Sequence, residues 1–204
     1  DAARNNVVQG AADGFSLTRL ALTLGFDLDA QQVRFDPDQV MFFGHSQGAT
    51  TGVPFLAYEP LVKGGILSGS GAVLYLALLH KTEPLDIPQI AQTLLNEQPF
   101  DQYTPTMSLL QMWAERSDAA NYAPLIIRRP PADGNGGTLA PKHIFQTDGL
   151  YDSYSPNQNI RALTVALGLD VVRPELEAIE GVALRGRGLL SAPVSGNLDG
   201  GRSE

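Results

Sequence analysis

The sequence predicts an α/β fold in which a parallel sheet is interrupted by a helical insertion. Two strand-like segments with a helix between them precede residue 72, and a third strand and helix follow residue 141. The stretch between them lacks this alternation and reads as helices and proline-rich loops. We therefore predict core segments at residues 1–71 and 142–204 and a lid-like insertion at residues 72–141.

The chain opens with a predicted helix and a polar connection. Between Asn6 and Leu24, apolar residues recur at three- and four-residue spacing, which is typical of an amphipathic helix. Gly25 is placed to cap that helix at its C-terminus. Residues 25–39 carry several aspartates and predict a polar connection.

The first two strands flank a helix. Residues 40–43 and 62–67 are short apolar runs, which favour strands buried in a parallel sheet. Between them, residues 47–58 predict a helix that ends at Glu59-Pro60.

The insertion and the second core segment carry their own boundary signals. Asp86 is a good helix N-cap, and Thr104-Pro105 predicts the start of another helix. Residues 142–146 predict a strand, and residues 157–167 predict a helix that stops at Gly168. From residue 181 onward the sequence is glycine-rich and weakly patterned.

Composition excludes several classes of function. The 204 residues are 43% hydrophobic and 18% charged, which is ordinary for a globular protein. A net charge of −8 argues against a nucleic-acid partner. The absence of cysteine excludes disulfides, thiolate metal sites and a cysteine nucleophile. No apolar run approaches the roughly 20 residues that span a bilayer.

Metal and cofactor signals are weak, so we predict no metal and no cofactor. Asp27-x-Asp29 begins the alternate oxygen spacing of a calcium loop, but the central glycine and the closing glutamate are missing. The loop at residues 133–137 has similar chemistry and reads as a turn. No histidine or glutamate spacing suggests zinc, and no glycine-rich loop suggests a nucleotide.

A Gly-x-Ser-x-Gly motif lies where a strand meets a helix. The strand at residues 40–43 leads into Gly44, His45, Ser46, Gln47 and Gly48, and the next helix begins there. This context predicts a nucleophile elbow, a sharp turn that presents the serine hydroxyl at the carboxyl end of the sheet. Gly44 and Gly48 lack side chains and would let strand and helix approach closely, while the Gln47 amide could hold an oxyanion.

At these residues the sequence resembles the α/β-hydrolase superfamily. Gly-His-Ser-Gln-Gly is the form found in many bacterial lipases and esterases, and residues 35–37 and 67–71 resemble a lipase-related group of exported bacterial hydrolases. The resemblance covers about residues 5–170. It implies a partial α/β-hydrolase fold, with a parallel sheet core, a helical lid-like insertion, and N-terminal strands and a C-terminal histidine segment missing.

The resemblance also implies a catalytic acid after a later strand. The superfamily orders its triad as serine, acid, histidine, with the acid in a Gly-x-x-Asp-x-x-x-Pro setting. Residues 149–156 match that frame, so Asp152 is the candidate that orients the catalytic imidazole, with Asp148 as the alternative. Both could instead be turn-forming residues.

No histidine follows Asp152. His45, His80 and His143 all precede it. His45 lies within the elbow, where its ring is expected to turn away from Ser46. His143 begins a strand at the end opposite the serine. His80 could reach the site only if the insertion folds over it.

The missing base leads to a hypothesis about the chain itself. Only 45 residues precede Ser46, whereas the superfamily places several strands there. Together with a start on Asp1 rather than Met, this predicts an internal piece of a longer protein, catalytically feeble alone because its serine lacks a base.

These patterns predict a carboxylic ester hydrolase of lipase or esterase type. Ser46 attacks the acyl carbon, Gln47 stabilises the oxyanion and Asp152 orients a histidine outside this stretch. The expected partner is a small-molecule or lipid ester. Peptidase, thioesterase and acyltransferase activities use the same constellation, and a non-catalytic binding module of the same fold is the alternative from another class. The stretch around Met107 and Trp113 predicts lid packing or an acyl pocket. The oligomeric state stays open.

Overall fold

The computed structural model describes residues 2–96, 100–184, 186 and 188–194. The chain is a mixed α/β protein with a parallel sheet, as predicted. The helices are α1 (Ala2–Thr23), α2 (Gln47–Tyr58), α3 (Leu74–His80), α4 (Ile87–Leu95), α5 (Pro105–Ala114), α6 (Ala119–Ile127), α7 (Asn157–Leu167) and α8 (Glu180–Leu184). The strands are β1 (Gly25–Leu28), β2 (Gln31–Arg34), β3 (Met41–His45), β4 (Gly64–Ser68), β5 (His143–Thr147), β6 (Val171–Val172) and β7 (Leu189–Leu190).

The central sheet has the order β3-β4-β5, with all strands parallel. His45, Ser68 and Thr147 share one register at the carboxyl ends of the three strands. The loops that follow these strands therefore emerge at the same edge of the sheet. In open α/β sheets this edge is where ligands bind.

One face of the sheet is covered by α2, α6 and α7. Leu67 and Ile144 point to that side and belong to the main hydrophobic core. The helices contribute residues that are almost fully buried: Val53, Leu56, Ala123, Ile126, Leu163 and Leu167. Burial of a large apolar side chain stabilises the fold by about 1.5–3 kcal/mol, so this face is the main source of stability.

The opposite face of the sheet is open in the described part of the chain. Phe43, Ile66 and Phe145 align across the three strands and are 69%, 39% and 48% exposed. Met41, on the same face, is 58% exposed. Parallel sheets usually have both faces covered, so this open apolar face is unusual.

Two glycines bring α1 onto α2. A Cβ on Gly10 would meet the Thr51 side chain, and a Cβ on Gly14 would lie 2.9 Å from the ring of Phe55. Phe15 adds an aromatic contact to Phe55, with ring centroids 5.4 Å apart. The close approach allows the start of α1 to reach the carboxyl edge of the sheet, where Arg4 and Val7 line a cavity.

The segment predicted as an insertion contributes α3, α4, α5 and α6. Asp86 caps α4 by accepting from the Gln89 amide at 3.0 Å, and α5 begins at Pro105, both as predicted. Thr104 precedes α5 without a capping hydrogen bond from its side chain.

The division of the chain into core and insertion at residues 71 and 141 stays a prediction. α6 nevertheless belongs to the central core, since Ala119, Ala123 and Ile126 are about 1% exposed or less.

One local expectation is wrong. Gly25 does not cap α1 but is the first residue of β1, and the connection at residues 25–39 contains the antiparallel hairpin β1–β2. The hairpin turn is made by Asp29 and Ala30, both at positive φ, 48° and 66°. Within the weakly patterned C-terminal stretch, β7 pairs with β6 in parallel.

Of the helices that the structure describes, none has both the length and the apolar character to cross a bilayer.

Candidate active site

Ser46 occupies a strained bend between β3 and α2. Its φ and ψ are 52° and −125°, a conformation that L residues rarely adopt and that costs about 1–3 kcal/mol. The bend is held from both sides, because the Ser46 amide donates to the Ser68 carbonyl at 2.8 Å and the Thr50 amide donates to the Ser46 carbonyl at 3.1 Å. Ser46 is half-buried, and its side chain makes no capping hydrogen bond to α2.

The two glycines of the motif differ in their surroundings. A Cβ on Gly44 would lie 2.7 Å from the Ala49 Cα and 2.9 Å from its amide nitrogen, so the close approach expected there is present. A Cβ on Gly48 would meet nothing within 4 Å, so close packing of the described chain does not require glycine at that position. Gly52 is a contact that the motif did not reveal, because a Cβ there would collide with the Phe42 ring.

Gln47 is the first residue of α2 and lines the same cavity as Ser46. Amides in the first turn of a helix have no acceptor within the helix. Together with the positive end of the helix dipole, the Gln47 amide can stabilise a negatively charged oxygen formed at Ser46.

Asp152 lies in the loop after β5, two strands away from Ser46. Its Oδ1 accepts from the amides of Tyr154 and Ser155 at 2.9 and 2.8 Å, which fixes the carboxylate. Its Oδ2 lies 3.9 Å from where a Cβ of Gly69 would be, and Gly69 lines the cavity beside Ser46. Oδ2 has no hydrogen-bond partner among the described residues, so it is available to accept from an imidazole.

Asp148 is occupied by other contacts. Its Oδ2 accepts from Arg161 Nε at 2.9 Å, and its Oδ1 accepts from the Asn157 amide group. Arg161 also bonds to Glu177 at 2.7 Å, which makes Asp148 part of an ion-pair network beyond β5. Of the two carboxylates considered from the sequence, only Asp152 keeps an oxygen without a hydrogen-bond partner among the described residues.

None of the three histidines lines the Ser46 cavity as far as the chain is described. His45 ends β3, and its Nδ1 lies 3.1 Å from the Ser68 Oγ. His143 begins β5 at the amino end of the strand. His80 is the exposed last residue of α3.

The cavity beside Ser46 has a volume of about 370 Å³. Its walls come from α1, the start of α2, α3, the end of α5, the start of α6 and the loop before α7. Trp113 is part of this wall, whereas Met107 is buried and Met112 is 71% exposed. The stretch that predicted either lid packing or an acyl pocket therefore supplies one aromatic side chain to the cavity.

A buried carboxylate that the sequence did not single out builds one wall. Asp118 is 6% exposed; its Oδ1 accepts from the amides of Val73 and Ala120, and its Oδ2 accepts from the Leu74 amide and Gln111. Val73 has a φ of 66°, which is strained for a β-branched residue. Only the local signal of Asp118, a helix N-cap, could be read from the sequence, because Val73 and Leu74 lie about 45 residues upstream.

The acidic loops considered as cation sites have other roles. Asp27 lies in β1, and Asp36 caps a 3₁₀ turn by accepting from the Asp38 amide at 2.9 Å. Asp133 accepts from the amides of Asn135 and Gly137, and these hydrogen bonds lower the pKa of its carboxyl. Across the described ranges, no group of three or more His, Asp or Glu side chains could hold a metal ion.

Comparison with known proteins adds no relative from which to transfer a role. No family model, no curated protein and no solved structure matches the chain.

Proposed function

We propose that the protein is a serine hydrolase that cleaves carboxylic esters. The observation that carries the proposal is the strained bend at Ser46, which places a serine at a helix N-terminus and on the wall of a 370 Å³ cavity. A backbone held in such a rare conformation is typical of sites where a side chain must be presented to a ligand.

The surrounding groups support an acyl-transfer reaction. Ser46 Oγ attacks the ester carbonyl carbon while a base removes its proton, and the alcohol leaves with a proton from the same base. The Gln47 amide and the positive end of α2 stabilise the tetrahedral oxyanion. Water then attacks the acyl–serine bond in the second half of the reaction.

The proposal assigns the base to a histidine beyond residues 1–204. Asp152 Oδ2 is the acceptor that would hold this imidazole in its reactive orientation. A binding module of the same fold remains the alternative, and it requires neither a strained serine nor an available carboxylate oxygen.

Labelling of the full-length protein with a fluorophosphonate tests the proposal. We expect one adduct, located on Ser46 by peptide mass spectrometry and absent from Ser46→Ala. Ser68→Ala is the matched control, since Ser68 ends the neighbouring strand and contacts His45; it should label normally. An adduct on Ser68, or no adduct in a folded protein, would contradict the proposal.

A further inference from the structure

The walls of the Ser46 cavity are mostly apolar. Val7, Leu74, Ala77, Trp113, Ala114 and Ala119 contribute to them. An apolar cavity of this size can bury the chain of an acyl group, and it offers few polar partners along that chain.

Two cationic side chains also line the cavity, although the whole chain carries a net charge of −8. Lys81 is half-buried and caps the C-terminus of α3, and its ammonium donates to the Tyr154 carbonyl. An ammonium has three donors, so two stay available for a ligand as far as the described residues show. The Arg4 guanidinium lies 5.8 Å from the centre of the Trp113 ring, which fixes a second positive charge against the aromatic wall.

The acidic lining residue in the described chain does not pair with Lys81. Asp118 directs both oxygens at backbone amides and at Gln111, so its charge is stabilised within the protein. The cavity therefore combines apolar walls with a serine at the start of α2 and cationic side chains from α1 and the end of α3.

We infer that the cavity binds an ester whose acyl chain is apolar and ends in a carboxylate, with the ester group at Ser46 and the carboxylate at Lys81. This substrate class rests on the proposed function of Ser46. A neutral ester of the same length would fill the same walls but leave the Lys81 ammonium without its anion.

The closing experiment measures binding, so that it does not depend on turnover. Trp113 is the chain's single tryptophan and lies in the wall, so its fluorescence reports occupancy. In full-length Ser46→Ala protein, we would titrate monomethyl suberate and dimethyl suberate, which share their chain but differ in one carboxylate. Equilibrium dialysis measures the same affinities without relying on the fluorescence change.

We expect the monoester to bind about tenfold more tightly than the diester, as for a charged hydrogen bond in a half-buried site. Adding Lys81→Met, which keeps the apolar stem, should bring the ratio close to one. Lys63→Met is the matched control, because Lys63 pairs with Asp38 away from the cavity, and it should keep the preference. Equal affinities in the parent, a ratio unchanged by Lys81→Met, or no binding of either ester would overturn the inference.

The two proposals fail differently. Fluorophosphonate labelling of Ser46 without a preference for the monoester would retain the hydrolase and reject this substrate class. Selective binding of the monoester without labelling would retain the anion-binding cavity and reject the hydrolase.

Discussion

Gly44 and Gly48 differ in what a methyl group would meet, and this difference gives a matched pair of substitutions. Gly44→Ala places a Cβ against the backbone of Ala49, so β3 and α2 must separate. We expect a loss of about 1–3 kcal/mol in the free energy of unfolding, measured with urea. Gly48→Ala should stay within about 0.5 kcal/mol of the parent, because its surroundings are open. Equal losses at both positions would contradict the described bend.

Asp152 and Asp148 give a second matched pair of substitutions. Asp152→Asn keeps the Oδ1 acceptor for the Tyr154 and Ser155 amides but removes the carboxylate charge. Esterase activity of the full-length protein should fall by about 10²–10⁴-fold with little change in stability. Asp148→Asn weakens the ion pair with Arg161 and should mainly lower stability. The reverse pattern would make Asp148 the orienting acid.

At the scale of elements, Lys142 links the end of α2 to the sheet. Its buried ammonium donates to the carbonyls of Glu59 and Val62 at 2.7 and 2.9 Å. Burial lowers the pKa of Lys142 below its usual 10.5, although the nearby Glu59 carboxylate opposes the shift. As the pH rises toward 10.5, the unfolded chain holds more protons than the folded one, so this group's contribution to the free energy of unfolding increases.

Lys142→Met should be less stable than the parent at neutral pH, because the buried carbonyls of Glu59 and Val62 lose their donor. It should also lose the rise in stability just below pH 10.5, because the titrating group is gone. The slope that disappears is at most about 1.4 kcal/mol per pH unit. Urea unfolding between pH 8 and pH 10.5 measures it. Burial also raises the pKa of Tyr122, but that effect is common to both proteins and cancels in the comparison. Parallel stability curves for the two proteins would contradict the prediction.

The elements predicted well from the sequence are those with local boundary signals. α2 ends before Glu59-Pro60, and α7 ends at Gly168, which has the left-handed φ of 80° that a C-cap requires. The hairpin β1–β2 was missed because Asp29 and Ala30 supply the positive φ values without a glycine. In the candidate site, too, the features that could be predicted are local: the motif around Ser46 and the Gly-x-x-Asp-x-x-x-Pro pattern around Asp152. The contacts of Asp118 with Val73 and Leu74, and of Lys81 with Tyr154, join residues far apart in the sequence and could not be read from spacing.

At the scale of the whole molecule, the open face of the sheet has a consequence for behaviour in solution. Phe43 is 69% exposed on that face, whereas Phe42 points to the other face and packs on Phe55 with ring centroids 5.6 Å apart. Phe43→Thr should reduce binding of a hydrophobic dye and change stability by no more than about 0.5 kcal/mol.

Phe42→Thr is the control on the neighbouring residue. It removes a ring that packs against Gly52 and Phe55, so it should cost at least about 2 kcal/mol in urea unfolding. Dye binding unaffected by Phe43→Thr would mean that the open face is covered in solution.

Two of the four hydrogen bonds accepted by Asp118, those from the Val73 and Leu74 amides, tie the start of α3 to α6, which is itself part of the core. The amide protons of Val73 and Leu74 can then exchange with solvent only when their hydrogen bonds to the Asp118 carboxylate break, although they lie at the start of a helix of only 7 residues. Slow deuterium uptake at these two amides, similar to that of α6, would show that the wall of the cavity opens only together with the core. The cavity wall at the start of α3 would then have its binding conformation before a ligand enters.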